Sequence, residues 1–337
     1  MDCIIPAANG ILKGSRQVRQ ADWESGVPVK SLDKILRSVR AFGQTLSNAS
    51  SPPPAGPQPR IGIALGGGFA RGIAHIGVLK VLEEERIPVA CVAGTSVGAL
   101  IGALYCSGLS ASDLEQVAHR VRFRDFARWT LSRFGFATNH RMVRFLSSVL
   151  KAKTFEELQI PLAVAATDFA TGDGVVFRSG ALVDPVRASC AYPGMFLPVD
   201  IGGRLLVDGM LAHAVPTRPL REMGAERVLA VHLKAMWSRA EGPRHVFDVI
   251  GQCFAIAQDM NCASWQKAAD LVIEPNVNGF EYDDFEHCDH LMRAGETAMR
   301  DALPAVKKWL ATAPEVTPAE RPRKRPSVTQ PAALPAD

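Results

Sequence analysis

Ser96 stands between Gly94 and Gly98 in the run Val89-Ala90-Cys91-Val92-Ala93-Gly94-Thr95-Ser96-Val97-Gly98-Ala99-Leu100-Ile101-Gly102-Ala103-Leu104. The first half is a short apolar run of strand type. The second half is small and apolar and suits a buried helix, so a tight strand-to-helix turn is predicted between Gly94 and Gly98. A serine at the centre of such a turn has its hydroxyl held out toward a substrate, and the flanking glycines let strand and helix pass close together. The chemistry this suits is acyl transfer by a nucleophilic serine; the competing reading is a turn that serves packing alone.

A second glycine cluster supports the chemical reading. Ile61-Gly62-Ile63-Ala64-Leu65 reads as a buried strand and runs into Gly66-Gly67-Gly68-Phe69-Ala70-Arg71-Gly72, after which Ile76, Leu79 and Leu82 alternate with charged residues in a helical pattern. Glycines at a strand-to-helix junction leave backbone N–H groups uncovered, which makes the loop an anion cradle, and the oxyanion of acyl transfer is an anion. A dinucleotide-binding loop has the same order of elements. Here Arg71 replaces the last glycine of that fingerprint, and no acidic residue ends a second strand at the expected spacing.

Several blocks, in order, resemble the patatin-like phospholipase family. They are Gly66 to Gly72, Ala74 to Glu83, Gly94 to Ala99, Ala166-Thr167-Asp168 with Thr171-Gly172, Ala188-Ser189-Cys190-Ala191-Tyr192-Pro193 with Phe196 and Pro198, and Leu206-Val207-Asp208-Gly209. The resemblance spans roughly residues 59–310 and departs at Met210, where the family usually has Gly or Ala. It implies a three-layer α/β/α fold with a mostly parallel central sheet, and a carboxylic ester hydrolase of phospholipase or lipid esterase type.

A serine hydroxyl needs a base near neutral pH. In an α/β-hydrolase that base is a histidine late in the chain, for which His213, His232 and the pair His287 and His290 are the candidates. His213 follows Asp208 too closely for that order, and His232 lies in a predicted strand. The resemblance implies another solution, a catalytic Ser96–Asp208 dyad without histidine. It further implies an oxyanion hole of Gly67, Gly68 and Phe69, with Gly66, Arg71, Gly72, Gly94, Gly98 and Gly209 supporting the motifs. Against this stands a reading of Asp208 as a turn former before Gly209. Arg71 could hold the loop, meet a phosphate or form a structural salt bridge, and Asp168 is read as structural.

Glu286-His287-Cys288-Asp289-His290 places two histidines one helical turn apart, but no second ligand cluster accompanies them and a solvated helix start is expected. The chemistry requires no metal and no organic cofactor. The expected partner is a lipid or phospholipid substrate, with an anionic membrane surface as a further partner; the oligomeric state is unknown. A net charge of +4 gives no ground for nucleic-acid binding. The catalytically weak alternative is a patatin-like scaffold with a membrane-binding or regulatory role.

These residues need elements to position them, and 337 residues with 47% hydrophobic content supply a sizeable core. Strands are predicted at 161–167, 175–177, 199–201, 204–207, 227–233 and 271–274, and helices at 183–191, 247–267 and 285–312, the last interrupted by Pro304. Alternation of strands and helices gives a covered, mostly parallel sheet. Residues 1–59 form an N-terminal extension with a basic amphipathic helix at 31–46 and a Pro-rich linker. Residues 60–312 form the hydrolase domain, and 313–337 a Pro- and Arg-rich tail too poor in apolar residues to fold. Between residues 120 and 144 arginines interleave with aromatic residues, which suits a lipid-facing cap or an ordinary helix pair with its aromatics in the core. Seven scattered cysteines without a CxxC spacing, and the absence of a signal or transmembrane run, point to a cytoplasmic protein with a peripheral place at the inner membrane surface.

Overall fold

The computed structural model describes residues 58–126, 128–132, 135–234, 246–280 and 284–311. The predicted helix at 31–46, most of the linker and the tail lie outside the described residues.

β1 (Ile61–Leu65) leads through the glycine loop and a 3-10 turn at Phe69–Ile73 into α1 (Ala74–Glu84). β2 (Cys91–Thr95) turns at Ser96 into α2 (Val97–Cys106), followed by α3 (Ala111–Arg120). A capping box opens α3: the Ser110 hydroxyl accepts from the Asp113 N–H at 3.1 Å, and the Asp113 carboxylate accepts from the Ser110 N–H at 3.0 Å. The arginine- and aromatic-rich stretch holds α4 (Phe123–Phe126), a hairpin of β3 (Arg128–Ser132) and β4 (Gly135–Thr138), and the start of α5 (His140–Val149), rather than a simple helix pair. Phe126 is buried, its ring 5.0 Å from that of Phe145 and 6.3 Å from that of Phe285.

Then come β5 (Leu162–Asp168), β6 (Gly174–Phe177), α6 (Val183–Ser189), β7 (Val199–Ile201), β8 (Arg204–Asp208) and α7 (Thr217–Glu222). β9 (Arg227–Val231), α8 (Val246–Met260), α9 (Cys262–Gln266), β10 (Leu271–Ile273) and α10 (Cys288–Ala311) complete the described chain.

The main sheet has the order β10-β9-β1-β2-β5-β8-β7, with β6 also on β5. Pairings from β10 through β9, β1 and β2 to β5 are parallel; those of β5 with β6, β5 with β8 and β8 with β7 are antiparallel. Successive side chains of a strand point to opposite faces. Ile61, Ile63 and Leu65 of β1 meet Leu79 and Leu82 of α1 in one core. Ala64, with Ala93 and Ala230, meets Leu220 of α7 and Trp265 of α9 in the other. Helices thus cover both faces, and the fold is the expected three-layer α/β/α arrangement.

The expected interruption at Pro304 does not occur: α10 runs unbroken from Cys288 to Ala311 with the proline inside it. Proline removes one backbone donor, but the tertiary packing of α10 against α1 overrides that loss. The two helices cross where neither has a side chain. A Cβ on Gly77 would lie 1.9 Å from the Met292 carbonyl oxygen, and one on Gly295 1.9 Å from that of Ala74.

Candidate active site

The register along β5 brings the site together. Near its end this strand pairs with three others: Ala165 pairs with Thr95 of β2 and Val176 of β6, and Ala166 with Asp208 of β8 and Val175 of β6. β6 therefore occupies one edge of β5, while β2 and β8 share the other and meet end to end. The residue after β2 is Ser96 and the last residue of β8 is Asp208, so neighbouring positions on one strand bring together residues 112 apart in sequence.

Ser96 has φ 56° and ψ −126°, a conformation that costs a non-glycine residue of order 1–3 kcal/mol. The flanking glycines are required by contact. A Cβ on Gly94 would lie 2.4 Å from the Gly98 carbonyl oxygen, and one on Gly98 2.2 Å from that of Leu65. The Ser96 hydroxyl donates to the Asp208 carboxylate at 2.7 Å, and the other carboxylate oxygen accepts from the Met210 N–H at 2.9 Å. Asp208 is fully buried, and desolvation pushes its carboxyl up to about 7 in spite of these two hydrogen bonds. A carboxylate near neutrality beside a serine hydroxyl has the properties of a general base.

The glycine loop lies against this pair. A Cβ on Gly67 would be 3.5 Å from the Ser96 Cβ and 3.7 Å from that of Met210, and one on Gly72 would collide with Val97 at 2.3 Å. The Gly66 N–H donates to Val231 at 3.0 Å and the Gly67 N–H to Ala214 at 3.3 Å. The Gly68 N–H has no hydrogen-bond partner among the described residues. Phe69, with φ 52°, stacks edge-on against Tyr192 at 4.7 Å. The loop is held from below by His75, whose Nε2 donates to the Gly66 carbonyl at 2.9 Å; burial lowers this imidazole to about 4, which keeps it neutral. Gly209 lets the chain after Asp208 touch β5, since a Cβ there would meet the Ala165 oxygen at 2.2 Å.

Of the other sequence candidates, His232 pairs with Glu274 at 3.0 Å and His287 with Asp284 at 2.7 Å, while His213 offers its carbonyl to the Thr95 hydroxyl at 2.7 Å. None of these histidines hydrogen-bonds Ser96 or Asp208 among the described residues. Arg71 makes no ion pair with a carboxylate among the described residues; burial lowers its guanidinium, and its buried Nε has no hydrogen-bond partner. It lines a second pocket with Gly67, Gly68, Met210 and Lys234. Asp168 accepts from Arg204 at 2.8 Å and from the Ala170 N–H at 2.9 Å, tying the end of β5 to β8, and these partners hold its carboxyl below the usual range.

Two features escaped the sequence reading. Ser189 is fully buried; its hydroxyl accepts from the Ser96 N–H at 2.8 Å and donates to the Ala165 oxygen at 2.6 Å, clamping the strained turn to β5. Its place in the Ala188-Ser189 block was the available signal. Glu115 and His119 of α3 bring their ligand atoms within 4.8 Å of one another and of Asp289, one of the two residues between His287 and His290, in a cluster that includes neither of those histidines.

Beside the dyad, a cavity of about 110 Å³ opens at Ser96. Its walls are apolar apart from Ser96, the Cys190 thiol and the Met142 thioether. Burial first, then Asp208, pushes the Cys190 thiol well up, so it stays protonated. Met210, where the resemblance departs, does not line this cavity.

Residues 63–221 match the family model Patatin-like phospholipase. An uncharacterized NTE family protein of Mycobacterium tuberculosis is 34% identical over 181 residues, 52% of this chain and 49% of that protein. Lysophospholipase NTE1 of Mycosarcoma maydis is 30% identical over 230 residues, 65% of this chain and 12% of its own length. Patatin-like phospholipase domain-containing protein 6 of Mus musculus is 36% identical over 184 residues, 51% of this chain and 13% of its own. The chain thus spans about half of the mycobacterial relative and a much smaller share of the others. Among solved structures, VipD from Legionella pneumophila superposes with a TM-score of 0.54 at 15% identity, over 74% of this chain and 67% of that one.

Proposed function

We propose, from the match of residues 63–221 to the patatin-like phospholipase family model, that the chain is a serine acyl hydrolase cleaving lipid carboxylic esters. The observation that carries this reading is the 2.7 Å hydrogen bond from the hydroxyl of Ser96, held in a strained turn, to the buried Asp208 carboxylate. Ser96 attacks the ester carbonyl carbon while its proton passes to Asp208. The oxyanion is taken by the Gly68 and Phe69 N–H groups, to which Gly67, whose N–H is directed to Ala214, adds less. Collapse breaks the ester C–O bond, and the departing alcohol or lysolipid takes the proton from Asp208. Water then attacks the acyl-enzyme and gives a proton to Asp208, which passes it to the Ser96 oxygen as the C–O bond to Ser96 breaks, releasing the acid and restoring the dyad.

This chemistry needs no cofactor. The domain division at 59 and 312 and a cytoplasmic place at the inner membrane surface belong to the same proposal. No helix among the described residues is long and apolar enough to cross a membrane. Val249, Ile256 and Met260 of α8 are exposed, while its Gly251 and Ala255 line the pocket beside the glycine loop. This supports contact with a lipid surface at the substrate entrance.

The test is hydrolysis of p-nitrophenyl butyrate and of phospholipid vesicles by wild type, Ser96→Ala and Asp208→Asn, each checked for folding. Ser96→Ala is expected to be inert, and Asp208→Asn to lose about 10²–10⁴ in rate. Activity that survives in Ser96→Ala would sink the mechanism.

A further inference from the structure

Resting on the acyl-hydrolase reading, we infer that the cavity at Ser96 is a one-chain acyl channel between α2 and α3, and that Leu104 and Leu114 form its floor and set the acyl length accepted. The occupant follows from the walls. With hydrocarbon side chains almost throughout, a polar headgroup placed there would be stripped of water with nothing to hydrogen-bond, whereas an alkyl chain gains from burial.

The direction follows from the helices. α2 begins at Val97, directly after the nucleophile, and Val97, Leu100, Ile101 and Leu104 line the cavity at the spacing of one helix face. α3 follows after the short connection at residues 107–110 and returns antiparallel, with Leu114, Val117, Ala118 and Val121 lining the same cavity. Antiparallel return places Val121 at the Ser96 end and Leu114 at the Leu104 end.

Leu104 is 3% and Leu114 1% exposed, so that end is closed. Seven residues at a rise of ~1.5 Å make a channel of about 10 Å. An extended chain advances about 1.2 Å per backbone bond, so about eight carbons fill it. A longer acyl chain lies in the channel only by displacing the floor.

The experiment measures kcat/KM on p-nitrophenyl butyrate, octanoate, dodecanoate and palmitate for wild type, Leu114→Ala and Val117→Phe. In parallel, octanoic and dodecanoic acid displace a fluorescent dansyl fatty acid from Ser96→Ala protein, with and without Val117→Phe. The expected wild-type optimum is octanoate. Leu114→Ala raises the dodecanoate-to-octanoate ratio about tenfold, the scale of one to two buried methylenes. Val117→Phe, halfway along the channel, moves the optimum to butyrate, and it keeps the test open should Leu114→Ala not fold.

Equal use of palmitate and octanoate by wild type, or ratios unchanged in the folded variants, overturns the inference. If wild type is inert on every ester, the proposed function fails, and binding decides the channel by itself. Octanoic acid binding that Val117→Phe weakens upholds it, and binding that is absent or indifferent to Val117→Phe overturns it.

Discussion

Ser96 keeps its unusual backbone angles because its neighbours leave it no relaxed alternative. Its N–H is bonded to Ser189, its hydroxyl to Asp208, and its flanking glycines are pressed against backbone. Ser189→Ala removes the clamp while leaving both reacting groups in place. It strands the Ser96 N–H and the Ala165 oxygen, so a loss of about 1–3 kcal/mol is expected in denaturant unfolding. Because the turn then wanders, kcat falls about tenfold while KM stays near wild type, which steady-state kinetics resolves. A residue serving stability alone would leave kcat unchanged in the folded fraction. The charge on Asp208 makes its own prediction. The base must be ionised, so kcat/KM rises with pH and levels off above about 7, and this inflection disappears in Asp208→Asn.

At the scale of elements, the glycine loop depends on a helix crossing remote from the chemistry. α1 begins directly after the loop, its His75 holds the Gly66 carbonyl, and its position is set by the crossing with α10 at Gly77 and Gly295. Gly77→Ala drives a methyl group into the backbone at Met292, and the helices must separate. A destabilisation of about 1–3 kcal/mol or more is expected by thermal melting, with ester hydrolysis lost along with the fold. The same crossing explains why α10 survives Pro304, since the helix is held by its buried face and not by local propensity.

For the molecule as a whole, two buried groups work against each other. His75 has its pKa depressed to about 4, so its contribution is present above the unfolded value near 6.5 and is lost as pH falls toward 4. Asp208 has its pKa raised from 3.8 to about 7, so ionising it in the core costs stability as pH rises through that window. Each slope is at most about 1.4 kcal/mol per pH unit, and they oppose each other between about pH 4 and 6.5. Wild type is therefore expected to show a shallow dependence there. Asp208→Asn leaves the His75 slope unopposed, so its stability climbs with pH across the window and exceeds wild type at pH values above about 7. Urea titrations at several pH values measure this; parallel profiles for the two proteins would refute it.

By itself the sequence determined what local chemistry can encode. The two glycine-rich turns, the strands before them and the helices after them follow from apolar runs broken by residues without side chains, and Ser96 stands out at the centre of one of these turns, whereas Asp208 was singled out only by the family resemblance. Local pattern says nothing of register, and register decided the site: Thr95 and Asp208 fall beside neighbouring residues of β5. Ser189 as a clamp, Asp208 as a carboxyl near neutrality and the apolar channel at Ser96 all arise from groups distant in sequence that exclude water together. The unbroken α10 was likewise decided by packing, against α1 at Gly77 and Gly295. Hydrogen-bond partners, desolvation and cavities belong to no single segment, so only the tertiary structure could decide them.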